Sequence, residues 1–145
     1  MEKIIAYTDG GSRGNPGPSG LGVFITHADG GVIAEVSKYL GVATNNHAEY
    51  EAVLVALQTL HKKYGEDTKA LSVEIRLDSQ LVQRQMDGIY KVKSPELKVQ
   101  FEKIKALQRE HFPHLTFKHV YREFNKDADR LANDAMDKNK GGRHI

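Results

Sequence analysis

At 145 residues the chain is the size of one domain and can bury a full core without covalent staples. It has no cysteine, which excludes a disulfide framework and thiolate metal sites. Its 21 basic and 19 acidic residues leave a net charge of +2, so any attraction to a charged partner must be local. No apolar run approaches the roughly 20 residues of a bilayer span. Met1 to Asp9 carries no signal-peptide pattern, and a cytoplasmic location away from membranes is expected.

Ile4-Ile5-Ala6-Tyr7 reads as a short strand with Asp9 at its end. It runs into Gly10-Gly11-Ser12-Arg13-Gly14-Asn15-Pro16-Gly17-Pro18-Ser19-Gly20. Glycine lets another backbone come close, and the two prolines stiffen the stretch. A hairpin connection accounts for such punctuation, yet the stretch is long for one. Leu21–Ile25 predicts a second strand, Ala28-Asp29-Gly30-Gly31 a turn, and Val32–Leu40 a third strand, together an antiparallel meander.

A helix follows, with Ala48, Ala52, Val55 and Ala56 at helical spacing and Val53, Leu57 and Leu60 widening the apolar face. Asn45 or Asn46 is the expected N-cap. Glu49 shares the inward side with Val53, Ala56 and Leu60, whereas Glu51 lies about 200° around and should face water. A buried acid is costly unless paired or bound to a metal, although the helix dipole also favours an acid there.

Leu71, Val73, Ile75 and Leu77 alternate with polar residues, predicting a half-buried strand with Asp78 at its C-terminal end. Ser79 begins a short helix through Leu81, Val82 and Met86 that Gly88 ends. Tyr90-Lys91-Val92-Lys93 is a basic connection. Ser94-Pro95 then opens a helix as N-cap and first residue, with Leu97, Phe101, Ile104 and Leu107 inward and Pro113 closing it. Leu115–Val120 is the fifth strand. Asn125 caps a last helix whose stripe is Ala128, Leu131, Ala132, Ala135 and Met136. Residues 1–138 are read as one domain and 139–145 as a polar tail. The order β-β-β-α-β-α-α-β-α predicts a mixed sheet with helices on its faces.

Asp9 and Asp78 end strands, Glu49 lies on the inner side near a helix start, and Asp129 sits in the first turn of the last helix. Convergent carboxylates without histidine or cysteine partners are hard oxygen ligands, suited to Mg²⁺ or Mn²⁺. Two such ions could clamp the attacking and leaving oxygens of a phosphodiester.

On these residues the chain resembles the type 1 ribonuclease H family. The motifs are Thr8-Asp9-Gly10-Gly11-Ser12-Arg13-Gly14-Asn15-Pro16-Gly17, Thr44-Asn45-Asn46-His47-Ala48-Glu49, Leu77-Asp78-Ser79-Gln80-Leu81-Val82 and Asn125-Lys126-Asp127-Ala128-Asp129-Arg130-Leu131-Ala132. They follow the family's order across nearly the whole chain. The resemblance implies an α/β ribonuclease H-like fold: a five-stranded sheet of three antiparallel strands, then two parallel, with helices on its faces. It implies a metal-dependent endonuclease that hydrolyses the RNA strand of RNA–DNA hybrids, leaving 5′-phosphate and 3′-hydroxyl ends. Asp9, Glu49, Asp78 and Asp129 would hold two Mg²⁺ (or Mn²⁺) ions. One would activate water and the other would stabilise the departing oxygen. Gly10, Gly11, Ser12, Arg13, Gly14, Asn15, Thr44, Asn45, Asn46, Ser79 and Gln80 match positions that contact the hybrid. RNA is told from DNA by its 2′-hydroxyl in a wide minor groove, and an amide side chain offers both donor and acceptor there. A monomer is expected, with double-stranded RNA as a possible second substrate.

Two departures stand out. Many members have a histidine in a loop before the last helix. Here Arg122-Glu123-Phe124 leads almost directly to Asn125, and His119 is read as structural, within the fifth strand. Arg122 or Glu123 is the candidate to stand in, Arg122 also as a phosphate contact. The basic, aromatic-rich protrusion of some members is reduced to Lys91, Lys93 and Lys98, with no tryptophan. Other readings are weaker. A DNA junction nuclease of the same fold does not explain the Asn pair and the Asn15 loop. Gly11-Ser12-Arg13-Gly14 matches the GxxG of KH-type binding modules, but a strand precedes it rather than a helix. A P-loop is excluded because no Lys-Ser/Thr pair follows the glycines.

Overall fold

A computed structural model of the chain describes residues 1–140. Its strands are β1 (Lys3–Ser12), β2 (Gly17–His27), β3 (Val32–Ala43), β4 (Ser72–Leu77) and β5 (Leu115–His119). Its helices are α1 (Asn45–Tyr64), α2 (Gln80–Met86), α3 (Pro95–His111) and α4 (Lys126–Lys140), with 3₁₀ turns at Gly65–Ala70 and Arg122–Phe124. The five strands form one sheet in the order β3-β2-β1-β4-β5. β1, β2 and β3 pair antiparallel, and β4 and β5 join parallel. This is the mixed sheet the element order predicts. No helix among the described residues is long and apolar enough to cross a membrane.

α1 packs on β1 and against α3, while α4 crosses β2 and β3. The core is built by Ile4, Ala6, Val23, Ile25, Leu57, Leu60, Ile75, Leu77 and Ile104 with their neighbours. Ala128, Leu131, Ala132, Ala135 and Met136 form the buried stripe of α4, as their spacing predicts.

Several expectations need correction. The glycine stretch is mostly paired strand: β1 and β2 stay in register out to Ser12↔Ser19, leaving only residues 13–16 as the turn. α1 is capped by neither Asn45 nor Asn46. Thr44 is the N-cap, its hydroxyl accepting the His47 N–H at 3.1 Å. Glu51 is half-buried rather than fully facing water, and its carboxylate accepts the Gln100 amide at 2.7 Å. α4 continues to Lys140, two residues past the boundary placed at 138. The tail residues 141–145 lie outside the described residues.

Candidate active site

The site lies where the two central parallel strands part. β1 and β4 pair as far as Thr8↔Leu77. The next residue on each strand is an acid, so Asp9 and Asp78 are neighbours at the C-terminal edge of the sheet. Beyond that point β1 has no strand partner on its β4 side. The Gly10 N–H is donated instead to Glu49 Oε1, at 2.6 Å.

Glu49 can reach because α1 touches the strand. A Cβ on Gly10 would lie 2.2 Å from the Ala48 carbonyl carbon and 2.5 Å from the Glu49 nitrogen. On the opposite face α4 uses the same device. Gly22 pairs with Asp9 across β1/β2, and a Cβ there would lie 2.1 Å from the Ala128 carbonyl oxygen. That contact brings the first turn of α4 against Asp9, where the Asp129 charge adds to the rise of the Asp9 carboxyl. Two missing side chains thus let two helices deliver acids to one strand end.

Carboxylate oxygens of Asp9, Glu49 and Asp78 all lie within 4.8 Å of one another. They floor an open cleft of about 410 Å³ that Asp129 and Arg122 also line. Burial first, then the charges of Asp78 and Asp129, push the Asp9 carboxyl up to about 8. Burial, with Asp9 and Asp78 adding, raises Glu49 well above its ordinary value, and burial also raises Asp78. Arg122 is the cation that lowers all three. Oxygen-only, crowded and short of positive charge, the donor set fits a hard divalent cation.

The family model described as "Reverse transcriptase-like" matches residues 7–135. The Ribonuclease HI of Halobacterium salinarum is 40% identical over 135 residues, covering 93% of this chain and 65% of that protein. An RNase H1 isolated from compost by a metagenomic approach, LC11-RNase H1, superposes with a TM-score of 0.90 at 52% identity, covering 95% of this chain and 98% of that one. LC11-RNase H1 has also been solved in complex with an RNA/DNA hybrid, at 51% identity and TM-score 0.90, covering 93% and 97% of the two chains. The chain belongs to the type 1 ribonuclease H family. It spans 65% of the length of the Halobacterium relative and 36% of that of mycobacterial relatives that are 42% identical.

Of the residues that the ribonuclease H motifs mark for the substrate, Gly10, Gly11, Ser12, Arg13, Asn45, Asn46 and Ser79 line the cleft, together with Arg122, the candidate phosphate contact outside the motifs. Gly14, Asn15, Thr44 and Gln80 do not line it among the described residues. Asn15 and Asn45 form a relay between the hairpin turn and the start of α1. Asn15 Oδ1 accepts the Asn45 N–H at 2.9 Å, and Asn45 Oδ1 accepts the Ser12 N–H at 2.8 Å. The Ser12 hydroxyl donates to the carbonyls of Gly14 and Ala43. Arg13 is engaged with α4, through Asp137 at 2.5 Å and Asn133 at 3.3 Å. Ser79 caps α2 by accepting the Val82 N–H.

Arg122 and Glu123, adjacent in the second 3₁₀ turn, part company. Arg122 faces the carboxylates, whereas Glu123 lines a separate hollow with Tyr7, Phe24, Phe124, Lys126 and Asp127. Glu123 is therefore not placed to replace the loop histidine. His119 ends β5, stacks edge-on with Tyr121 at 5.6 Å, and lies in another hollow beside Tyr7 and Arg76. Sequence reasoning missed Asn125 beyond its place ahead of α4. Asn125 is 1% exposed, donates its amide to the Thr8 carbonyl at 2.9 Å, and lies close enough to Asp78 to lower its carboxyl. It ties both strand ends to the start of α4.

Proposed function

We propose that this chain hydrolyses the RNA strand of RNA–DNA hybrids, using divalent ions held by Asp9, Glu49, Asp78 and Asp129. The observation that carries the reading is the meeting of three carboxylates within 4.8 Å, beside a fourth acid, in a cleft walled by the Asn45–Asn46 helix start. The likeness to an RNase H1 solved with an RNA/DNA hybrid supports it. Bound Mg²⁺ or Mn²⁺, two ions per site on this reading, supplies activation of the attacking water and charge stabilisation at the leaving oxygen.

The chain's own groups set the frame for that chemistry. The Gly10 N–H fixes the Glu49 carboxylate. Asn125 orients Asp78, and Asp129 meets Asp9 from the α4 side. Asn45 and Asn46, at the exposed helix start, present amides to the minor groove, where the 2′-hydroxyl is read. Because Thr44 does the capping, the helix end uses neither amide, although Asn45 Oδ1 already accepts the Ser12 N–H and only its NH₂ is left for the substrate. Arg122 holds a phosphate over the acids. A cleft lined by residues of one chain fits a monomer acting in the cytoplasm.

The test is cleavage of matched RNA–DNA, RNA–RNA and DNA–DNA duplexes with Mg²⁺, Mn²⁺ or chelator. The RNA strand of the hybrid should be cut to 5′-phosphate ends, and chelator should stop it. Cleavage of DNA–DNA, or undiminished cleavage with chelator, would overturn the reading. The RNA–RNA arm decides whether double-stranded RNA is a second substrate.

Arg122→Ala should act mainly through substrate binding, raising KM with a modest fall in kcat. Glu123→Gln should change kcat by no more than a few-fold, about 1 kcal/mol or less of barrier. Steady-state rates of both variants check this. A collapse of kcat at Glu123→Gln would return that residue to the mechanism.

Lys91 and Lys93 are exposed on the connection between α2 and α3. Replacing both by alanine should weaken all duplexes about equally and reduce the slope of log affinity against log salt by about 1 per lysine. An unchanged slope would make them idle surface charges.

A further inference from the structure

The far end of α1 carries a second cluster of metal-binding side chains. His61 is in its last turn, twelve residues beyond Glu49 and so about 18 Å along the axis. His111 is the last residue of α3, and Glu66 belongs to the 3₁₀ turn that follows α1. The two imidazole rings stack with centroids 3.9 Å apart and planes inclined by 26°. One ligand atom from each of His61, Glu66 and His111 lies within 4.8 Å of the other two.

Two further observations point to a cation. His111 Nδ1 is buried without a hydrogen-bond partner, while its Nε2 lies 3.7 Å from a Glu110 oxygen. A buried ring nitrogen left unmatched costs free energy that coordination would recover. α1 and α3 also both end here, and the carbonyls of C-terminal turns favour positive charge.

We propose that His61, Glu66 and His111 bind one divalent transition-metal ion of the zinc type, at a site separate from the carboxylate cleft. Two imidazoles and one carboxylate are a zinc-type donor set with a fourth position open. Mg²⁺ and Ca²⁺ prefer all-oxygen shells. Glu66 supplies the negative charge of the set, and it is ion-paired with Lys69, at 2.9 Å. The Lys69 contact is exposed on both sides, so exchanging it for a metal forfeits little. The ion would pin the ends of α1 and α3 to the turn between α1 and β4.

The experiment uses tag-free protein stripped with chelator, in an Asp78→Asn background that disables the cleft as a competing site. Zn²⁺ is titrated by calorimetry and by melting temperature, and Co²⁺ by its visible absorption. One ion per chain, a rise in melting temperature, and a four-coordinate cobalt spectrum are expected. Second-sphere losses alone cost 10–100-fold in metal affinity, so His61→Gln and Glu66→Gln should each weaken zinc binding by at least about tenfold. Glu66 is exposed, so its variant keeps the fold even if a histidine variant does not. No saturable binding, or the same affinity in Glu66→Gln as in its parent, would overturn the proposal.

Discussion

Asp9→Asn is expected to abolish cleavage of RNA–DNA hybrids and, with metal chelated, to raise the melting temperature. Asp9 feels the charges of Asp78 and Asp129 and adds its own to Glu49. An amide cannot supply the charge of a carboxylate to a divalent ion. The loss should exceed the about 10²–10⁴-fold that one positioned proton-transfer group is worth. Stability should move the other way, because burial and neighbouring acids make the folded chain hold a proton on Asp9 that the unfolded chain releases, and an amide carries no such cost.

The pH dependence gives this an internal check. The Asp9 carboxyl rises from an ordinary 3.8 to about 8 in the folded protein. Between those values the folded chain keeps a proton that the unfolded chain releases. The Asp9 contribution to metal-free stability is therefore fully present below the unfolded value and is lost as pH rises towards about 8. Mg²⁺ should flatten that decline by favouring the ionised, folded form. Melting curves across pH 4–9, with chelator and with Mg²⁺, measure it. Asp9→Asn should show a shallower decline than the parent with chelator, and a steeper one would show that Asp9 is not the group responsible.

The second large effect is expected from a glycine rather than an acid. Gly10→Ala would set a methyl 2.2–2.5 Å from the backbone of Ala48 and Glu49. Backbone cannot rotate away as a side chain can, so α1 must lift from β1. A cost of about 3 kcal/mol or more follows, at the upper end of overpacking penalties. Lifting α1 also breaks the Gly10 bond to Glu49, so activity should fall even where the variant remains folded. Gly11→Ala is the control. A Cβ there meets only the Met136 methyl at 3.7 Å, an ordinary contact. Denaturant titration should separate the neighbours clearly, and similar stability for the two would show that the α1–β1 contact yields easily.

These glycines also show where the sequence was readable. Asp78 was legible because alternation carries it on the polar side just past β4, whereas Asp9, read as a strand end, lies inside β1, which runs on to Ser12. Glu49 was legible because helical phase puts it with Val53 and Ala56. The purpose of the glycines was not, since a turn and a close helix contact ask for the same residue. Reading residues 9–20 as a loop followed from that, whereas Gly20 and Gly22 sit within β2 beneath α4. The cap of α1 was misplaced because Thr44, Asn45 and Asn46 are all good capping residues in a row. Asn125 could not be assigned its bond to Thr8, 117 residues away, because only the folded sheet brings them together. Arg122 and Glu123 diverge because successive residues of a 3₁₀ turn point about 120° apart, and the sequence does not say which one faces in.

The bond from Gly10 to Glu49 has a use at the bench. An amide proton held by a carboxylate responds to that carboxylate's ionisation far more than one held by a strand carbonyl. The Gly10 resonance in a ¹⁵N–¹H spectrum should therefore move as Mg²⁺ is added and as pH is raised. Its rate of exchange with solvent should report how firmly α1 rests on the sheet. A single backbone signal can thus follow occupancy of the cleft without substrate, label or turnover.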